Sequence, residues 1–459
     1  MRRHVTLTLL VASGLSLLLA LGGCDSLTSY NENPNQATSA NPNNLLANAQ
    51  RYMSGEVYAG TNMMRRSNVW AQYTTQNFYP SESRYSPVDY PWEGFYTRLT
   101  DLKTAKQIAK ERPGTVQNQG NFQAVATIMQ TWAFQILTDA YGDIPFNEAL
   151  QQRGNQSPAY TAQADIYPAL VDSLNTALGK INTGAAGPSG DLVNGGNMEM
   201  WQKFANGLKM RIALRGYELD ANWGDLGGPG EIISNAVDPN VNGEPLTSNA
   251  DNVYFQFGTS AVHRNSYYEN REVDFRDDFD GSARFIGFME TNYGAADPRL
   301  DAYFEQTSNS GRPCADGSGK YEGFPFAQKQ GDAQDQYSAN PTCTFSRPEA
   351  WFPNGPSGEG DAFAPMMYYD EVLLTRAWAA REGIISGNPK ALIGDAIEAS
   401  VNFYGNQTDA DISGSSSATQ NYISQVQNDF GSDPEQVIGE QRYISFYMHN
   451  IQGWSTWRR

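Results

Sequence analysis

Histidine and cysteine are both scarce in this chain, which has three residues of each among 459. None of the histidines lies at metal-ligand spacing from Cys314 or Cys343, so a two-cysteine metal site is a weak interpretation. The sequence also lacks an HExxH motif and a Gly-x-Ser-x-Gly motif. We therefore predict no metal ion and no cofactor.

Basic residues are in deficit, with 32 Lys and Arg against 50 Asp and Glu and a net charge of −18. A nucleic-acid partner is excluded on this balance, because binding to phosphates requires a basic surface. Aromatic residues are plentiful, with 25 Tyr, 21 Phe and 9 Trp. The chain can therefore fill a sizeable core, and its length allows one large domain or two.

Long apolar runs are absent except at the N-terminus, where residues 5–21 follow a basic start and end in Leu21-Gly22-Gly23-Cys24. This run is too short for a membrane span, and small residues before a cysteine are typical of a lipoprotein signal. We expect residues 1–23 to be a signal peptide and Cys24 to be acylated. An ordinary cleaved signal is the alternative. Residues 24–43, rich in Ser, Asn and Pro, are expected to form a tether.

Cys314 and Cys343 remain as a pair in a chain that is expected to be exported. Both lie in Gly-, Ser-, Asn- and Pro-rich sequence without periodicity. We predict a disulfide between them, because closing a loop of about 30 residues restricts the unfolded chain by roughly 3 to 4 kcal/mol.

Helical periodicity is clearest before Tyr141, where apolar residues recur at helical spacing from Phe122 onward. Gly142 and Pro145 then predict the end of that helix. Further helices are predicted over residues 45–78, 92–111, 167–181 and 203–215, the last capped by Gly216, and again from residue 366. Residues 221–365 show little regularity. The pattern predicts a mainly α scaffold of helix pairs with a large, irregular, loop-rich insertion.

The helix at 203–215 has an apolar face that includes Trp201, Phe204 and Leu208. Its cationic side chains are predicted to reach the rim of the scaffold. They are Lys203, Lys209, Arg211 and Arg215.

Several segments resemble signatures of the SusD/RagB-like nutrient-binding outer-membrane lipoproteins. The most specific are Thr138–Pro145 (TDAYGDIP) and Lys203–Arg215 (KFANGLKMRIALR), with Asp297–Leu300 (DPRL) as a further match. Trp378 departs from the family pattern, which has Glu there, and this places one packing or polar contact in doubt. The resemblance implies a tetratricopeptide-like helical-repeat scaffold that forms a single domain over residues 44–459. The family usually continues further, so the C-terminus is expected to be truncated.

The resemblance also implies a function without covalent chemistry. Such proteins capture an oligomeric nutrient, usually a glycan, at the cell surface and deliver it to a SusC-like TonB-dependent barrel in the outer membrane. Two alternatives stay open, a surface lipoprotein glycosidase and a peptide-binding member of the same family. Among the 50 acidic residues, the sequence does not single out the carboxylate pair that a glycosidase needs.

Candidate ligand contacts come from a Pro-rich stretch with polar neighbours that cannot be helical. A sugar site needs flat aromatic platforms with polar groups at their edges, although such rings can also simply pack loops onto the scaffold. The predicted contacts in this stretch are Asn77, Tyr79, Arg84, Tyr85, Tyr90 and Trp92. In members of the family that this chain resembles, the irregular middle of the chain, here residues 221–365, completes the ligand site. The weaker candidates there are Tyr267, Tyr268 and Trp351.

Overall fold

The computed structural model describes residues 40–58, 60–86, 90–217, 223–276, 278–307, 321–329, 331–332, 345–349, 361–408 and 410–458. Three predictions concern residues outside these ranges and stay predictions. They are the lipidation of Cys24, the disulfide between Cys314 and Cys343, and the ligand contact at Trp351. Pro42–Arg459 forms one compact unit.

The described part of the chain is mainly helical, which confirms the predicted fold class. Its α-helices of seven or more residues are α1 (Pro42–Val57), α2 (Glu93–Glu111), α3 (Gln119–Tyr141), α4 (Gln163–Leu178), α5 (Met198–Tyr217), α6 (Pro229–Val237), α7 (Ala283–Thr291), α8 (Tyr369–Arg381), α9 (Pro389–Gln407), α10 (Ser417–Asp429), α11 (Pro434–Ser445) and α12 (Ile451–Trp457). Shorter helical turns include Glu82–Arg84 and Ser266–Tyr268, and π-helical segments span Gly60–Ser67 and Glu269–Val273.

Successive helices pack side by side, α1 on α2, α2 on α3, α3 on α4 and α4 on α5, and the same holds from α8 to α11. The predicted end of α3 is confirmed: the helix stops at Tyr141, and Gly142 takes a φ of 75° that favours glycine. Thr138 supports the exit, since its hydroxyl donates to the Gly142 carbonyl at 2.7 Å. Asp143 then accepts from the backbone N–H of Gln163 at the start of α4. The segment is therefore a joint between two helices.

Three short antiparallel strand pairs connect distant parts of the chain. They are β1 (Thr74–Gln76) with β5 (Phe279–Gly281), β2 (Ile144–Pro145) with β3 (Tyr160–Thr161), and β4 (Val253–Gln256) with β6 (Phe363–Met367). Two sequence predictions are wrong here. The single helix expected over 45–78 is interrupted after Val57, is helical again over Gly60–Ser67 and Asn68–Trp70, and gives way to β1 before residue 78. Residue 366 lies in β6 instead of a helix. In both places the backbone pairs with a strand that is remote in sequence.

Helix α5 also corrects two expectations. Gly216 does not end the helix, which continues through Tyr217; a Cβ at this position would lie 2.3 Å from the Trp223 ring. Lys209 and Arg211 do not reach the rim, because both are buried. Burial lowers the pKa of Lys209 to about 8. Arg211 donates to both carboxylate oxygens of Glu371 on α8, each at 2.6 Å.

A second buried polar network joins the end of α3 to α5 and α12. The Asp139 carboxylate accepts from the Tyr167 hydroxyl at 2.8 Å and from Arg215 at 3.3 Å. Burial and the neighbouring carboxylate of Asp139 raise the pKa of Tyr167. Arg215 also donates to Gln452 of α12. Asp139 and Arg215, one from each of the two most specific signatures, therefore hold helices together and do not face solvent.

Candidate functional site

The β1–β5 pair brings the loop after the first helices against the irregular middle of the chain. In the register of this pair, Gln76 faces Phe279. One residue further on, the backbone N–H of Asn77 donates to the carbonyl of Asp278 at 3.0 Å, and the Asn77 side chain donates to Asp280 at 2.9 Å. The family resemblance implies that these two regions form the ligand site together, and the structure places them side by side.

The loop that follows β1 is held by its own side chains. The hydroxyl of Ser83, which is fully buried, accepts from the backbone N–H of Gln76 at 2.9 Å. The Gln76 side chain in turn accepts from the backbone N–H of Tyr79 at 3.1 Å. This loop therefore presents its outward-facing rings in a fixed arrangement, which reduces the entropy lost when a ligand binds.

Exposed rings are concentrated at this junction. Phe78 is 59% exposed, Tyr79 is 40% exposed and Phe275 is 87% exposed. Phe275 also has a φ of 53°, a left-handed conformation that is unfavourable for a bulky residue. We call these three residues, together with Arg65, Glu82, Arg276 and Asp278, the junction surface.

The charged groups of the junction surface are arranged as ion pairs beside the rings. Arg276 contacts Asp278 at 2.6 Å, and its guanidinium lies 5.8 Å from the centre of the Tyr79 ring. The hydrogen bond to Asp278 raises the pKa of Arg276. Arg65 forms a second pair with Glu82. Rings with paired charges at their edges provide apolar faces for sugar C–H groups and polar atoms for sugar hydroxyls.

Tyr85 belongs to a second group of rings. It is 44% exposed and lies 6.0 Å from both Trp454 of α12 and Phe326. Its hydroxyl donates to the Trp70 carbonyl at 3.1 Å and accepts from Gln72 at 2.8 Å. These bonds fix the ring beside α12.

Trp92 belongs to a third group, in a depression of about 510 Å³ at the start of α2. Tyr141 contacts it edge-on with ring centres 4.8 Å apart, and the Tyr160 ring lies nearly parallel to it at 6.4 Å. Tyr160 is 66% exposed. We call this site the Trp92 depression; its lining is Tyr90, Trp92, Glu93, Tyr141, Asp143 and Tyr160.

The structure thus divides the predicted ligand contacts among several environments. Tyr79 and Arg84 are exposed on one loop, and Tyr268 is half-buried beside Arg264, whose guanidinium lies 5.8 Å from its ring. Three predicted contacts are buried, which leaves them little surface of their own for a ligand: Asn77, Tyr90, which lies at the base of the Trp92 depression, and Tyr267. Asn77 instead ties the loop to β5.

Sequence reasoning missed several exposed rings at these surfaces. They are Phe78, Phe275, Tyr141 and Tyr160, and two half-buried rings beside Tyr85 were missed as well, Trp454 and Phe326. Phe78 could have been found, because it adjoins Tyr79 at the start of the polar, Pro-rich stretch. Phe275 and Tyr160 carry no such local signal, since their exposure depends on where the chain places them.

A further cavity of about 430 Å³ lies between α7, α11 and α12, with Trp378, Tyr443 and Trp457 among its lining residues. Trp378 is the position at which the family pattern has Glu. Its ring is 8% exposed and meets the Tyr217 ring edge-on at 4.4 Å. An aromatic contact therefore occupies the place of the expected polar group.

Within the described ranges, no group of three or more His, Cys, Asp or Glu side chains is arranged to hold a metal ion. No helix among the same residues is both long and apolar enough to cross a membrane.

Comparison with known proteins gives one family. The profile of SusD-like proteins, described as starch-binding and associating with the outer membrane, matches residues 34–459. None of the curated protein sequences matches the chain.

Solved structures share the fold at low sequence identity. A chitin-binding protein matches with a TM-score of 0.72 and 23% identity, covering 91% of this chain and 87% of its own. A SusD homologue from Bacteroides fragilis matches with a TM-score of 0.71 and 21% identity, covering 91% and 86%. A chitin-binding SusD homologue from Flavobacterium johnsoniae matches with a TM-score of 0.67 and 20% identity, covering 90% and 84%.

Proposed function

Because the chain belongs to the SusD-like family of starch-binding proteins that associate with the outer membrane, we propose that it is a cell-surface lipoprotein that captures an oligomeric glycan. It delivers this glycan to a SusC-like TonB-dependent transporter. The single observation that supports glycan capture best is the junction surface, where the exposed rings of Phe78, Tyr79 and Phe275 and two ion pairs are gathered around the β1–β5 pair.

Glycan capture at this surface follows from the chemistry of both partners. A pyranose has apolar C–H faces that stack on aromatic rings, and its hydroxyls require hydrogen-bonding groups at the ring edges. Phe275 and Phe78 provide ring faces in solvent, and Arg276 with Asp278 provides edge groups beside Tyr79. Chitin binding by two proteins of the same fold agrees with a glycan ligand.

The test is isothermal titration of the protein with panels of glycans and peptides. Phe275→Ala and Tyr79→Ala should each weaken binding of the preferred oligosaccharide by roughly 1 to 3 kcal/mol, since each removes one platform. Leu192→Ala is a matched control, because Leu192 is 47% exposed and belongs to none of the three aromatic surfaces. Unchanged affinity in both ring variants would place the site elsewhere.

The same titration separates the two alternative functions. Exclusive binding of peptides would support a peptide-binding member of the family. Release of shorter sugars from the bound glycan would support a glycosidase, whereas binding without turnover supports capture for transport.

Surface anchoring is proposed on the sequence Leu21-Gly22-Gly23-Cys24. Several acyl chains on Cys24 would hold the protein stably at a membrane. Cys24→Ser should release it from the outer-membrane fraction, and mass spectrometry should find lipid on the parent protein. A variant that stays with the membrane, together with a parent free of lipid, would refute the anchor.

Delivery is tested by co-purification with a TonB-dependent barrel and by uptake of the labelled glycan. Cells that lack this protein should take up the glycan more slowly at low concentration. Equal uptake with and without the protein would argue against delivery while leaving binding intact.

A further inference from the structure

The Trp92 depression differs from the junction surface in its charge. Its described lining combines the rings of Trp92, Tyr141 and Tyr160 and the edge of buried Tyr90 with the carboxylates of Glu93 and Asp143, and it includes neither lysine nor arginine. Both carboxylate residues are exposed. At the junction surface, in contrast, each carboxylate is paired with an arginine.

The rings of the depression are held in place before any ligand arrives. The Tyr141 hydroxyl accepts from the backbone N–H of Tyr90 at 2.9 Å and donates to the carbonyl of the same residue at 2.5 Å. The Trp92 ring packs against Tyr96 with centres 5.1 Å apart. Tyr96 is fixed in turn, because its hydroxyl donates to the Pro145 carbonyl at 2.8 Å.

The two carboxylates belong to different elements, and a hydrogen bond orients the one on Asp143. Asp143 accepts from the backbone N–H of Gln163 through Oδ1, which orients its side chain at the start of α4. Glu93 is the first residue of α2, directly after Trp92. The depression therefore combines two negative groups with two nearly parallel rings in one lining.

Aromatic faces and carboxylates favour the same kind of ligand group. A ring face attracts a cation through its quadrupole, and a carboxylate attracts it directly. The volume of about 510 Å³ lies within the range of small-ligand sites. We infer that the Trp92 depression is a second binding site, which takes a sugar residue with a protonated amine, as in an oligomer of glucosamine. This inference rests on the proposed function in taking the ligand to be a glycan.

The experiment compares two probes of equal length, an oligomer of glucosamine and its fully N-acetylated counterpart, which carries no charge. The parent protein should bind the free-amine oligomer at least fivefold more tightly. Glu93→Gln keeps the size of the side chain and removes its charge, so it should weaken binding of the free-amine oligomer at least fivefold and leave binding of the acetylated oligomer unchanged. Tyr160→Ala should weaken binding of the free-amine oligomer to a similar degree.

Controls separate the depression from the overall negative charge and from the junction surface. Asp225→Asn removes an exposed carboxylate that does not line the depression and should change neither affinity. Phe275→Ala should weaken binding of neutral glycans without abolishing the preference for the amine. Circular dichroism checks that Glu93→Gln and Tyr160→Ala are folded.

Equal affinity of the parent for the two probes, or no binding of the free-amine oligomer, would overturn the inference. So would folded Glu93→Gln and Tyr160→Ala variants that retain the parent affinity for the amine. If the amine preference depends on Glu93 and Tyr160 but Phe275→Ala and Tyr79→Ala change nothing, the junction-surface proposal fails and the second site stands. If only the junction variants have effects, the reverse holds.

Discussion

Charged residues have opposite surroundings in the helical scaffold and at the junction surface. In the scaffold, the side chains of Arg211 and Glu371 are 1% and 2% exposed and form an ion pair with two hydrogen bonds. At the junction, Arg65 is 46% exposed and pairs with Glu82 at the edge of a loop. The same chemical pair therefore fixes the packing of two helices in one region and shapes an open surface in the other.

The difference in burial predicts which substitutions affect stability and which affect binding. A buried charge that loses its partner is costly, because the remaining group stays out of water. An exposed charge that loses its partner is hydrated and costs little. Substitutions in the scaffold should therefore change the free energy of unfolding, and those at the aromatic surfaces should change ligand affinity.

The largest expected effect is in the scaffold. Arg211→Met leaves the Glu371 carboxylate buried beside an apolar side chain, and we expect it to lower the free energy of unfolding by roughly 3 to 5 kcal/mol. Urea denaturation followed by circular dichroism measures this change. The double variant Arg211→Met with Glu371→Leu should recover much of the loss, because no charge is left unpaired. Single and double variants of equal instability would show that packing, and not the charge, accounts for the loss.

A second effect in the scaffold depends on pH. Burial raises the pKa of Asp370 from 3.8 to about 6, although its carboxylate accepts from the Ser445 hydroxyl at 2.7 Å. The folded state therefore binds this proton more tightly than the unfolded state does. The resulting stabilisation is fully present below pH 3.8 and is lost as the pH rises through about 6.

Asp370→Asn removes this titration. The free energy of unfolding of the variant minus that of the parent should therefore increase by up to roughly 3 kcal/mol as the pH rises from the acidic to the neutral end of that range. Urea titrations of both proteins at a series of pH values measure the gain. A difference between the two proteins that does not vary with pH would contradict the raised pKa.

The helices were largely predictable from sequence, and the polar partners and exposed rings were not. The apolar spacing before Tyr141 and the glycine after it are local signals, so both ends of α3 follow from neighbouring residues. The partner of Arg211 is 160 positions away, and an arginine on a helix is usually solvated. The pairing of β1 with β5 is equally remote. It accounts for the burial of Asn77, whose side chain donates to Asp280 of β5.

At the aromatic surfaces, the expected effect is on affinity. Tyr85→Ala or Trp92→Ala should weaken oligosaccharide binding by roughly 1 to 3 kcal/mol, because each removes one stacked contact. Isothermal titration measures the affinity, and urea denaturation should show at most a small loss of stability for Tyr85→Ala, whose ring is 44% exposed. If both variants bind the glycan as tightly as the parent, these two surfaces take no part in binding it.

The smallest expected effect comes from Arg65→Met. This variant makes the same substitution as Arg211→Met, but at the exposed junction surface. The Glu82 carboxylate is 17% exposed and can be hydrated once Arg65 is absent, so the free energy of unfolding should fall by only about 0 to 1 kcal/mol. High salt should reduce even this loss, because screening weakens exposed pairs. A loss as large as that of Arg211→Met would mean that the junction is part of the cooperative core. The division between a scaffold that holds the fold and a surface that binds ligand would then be wrong.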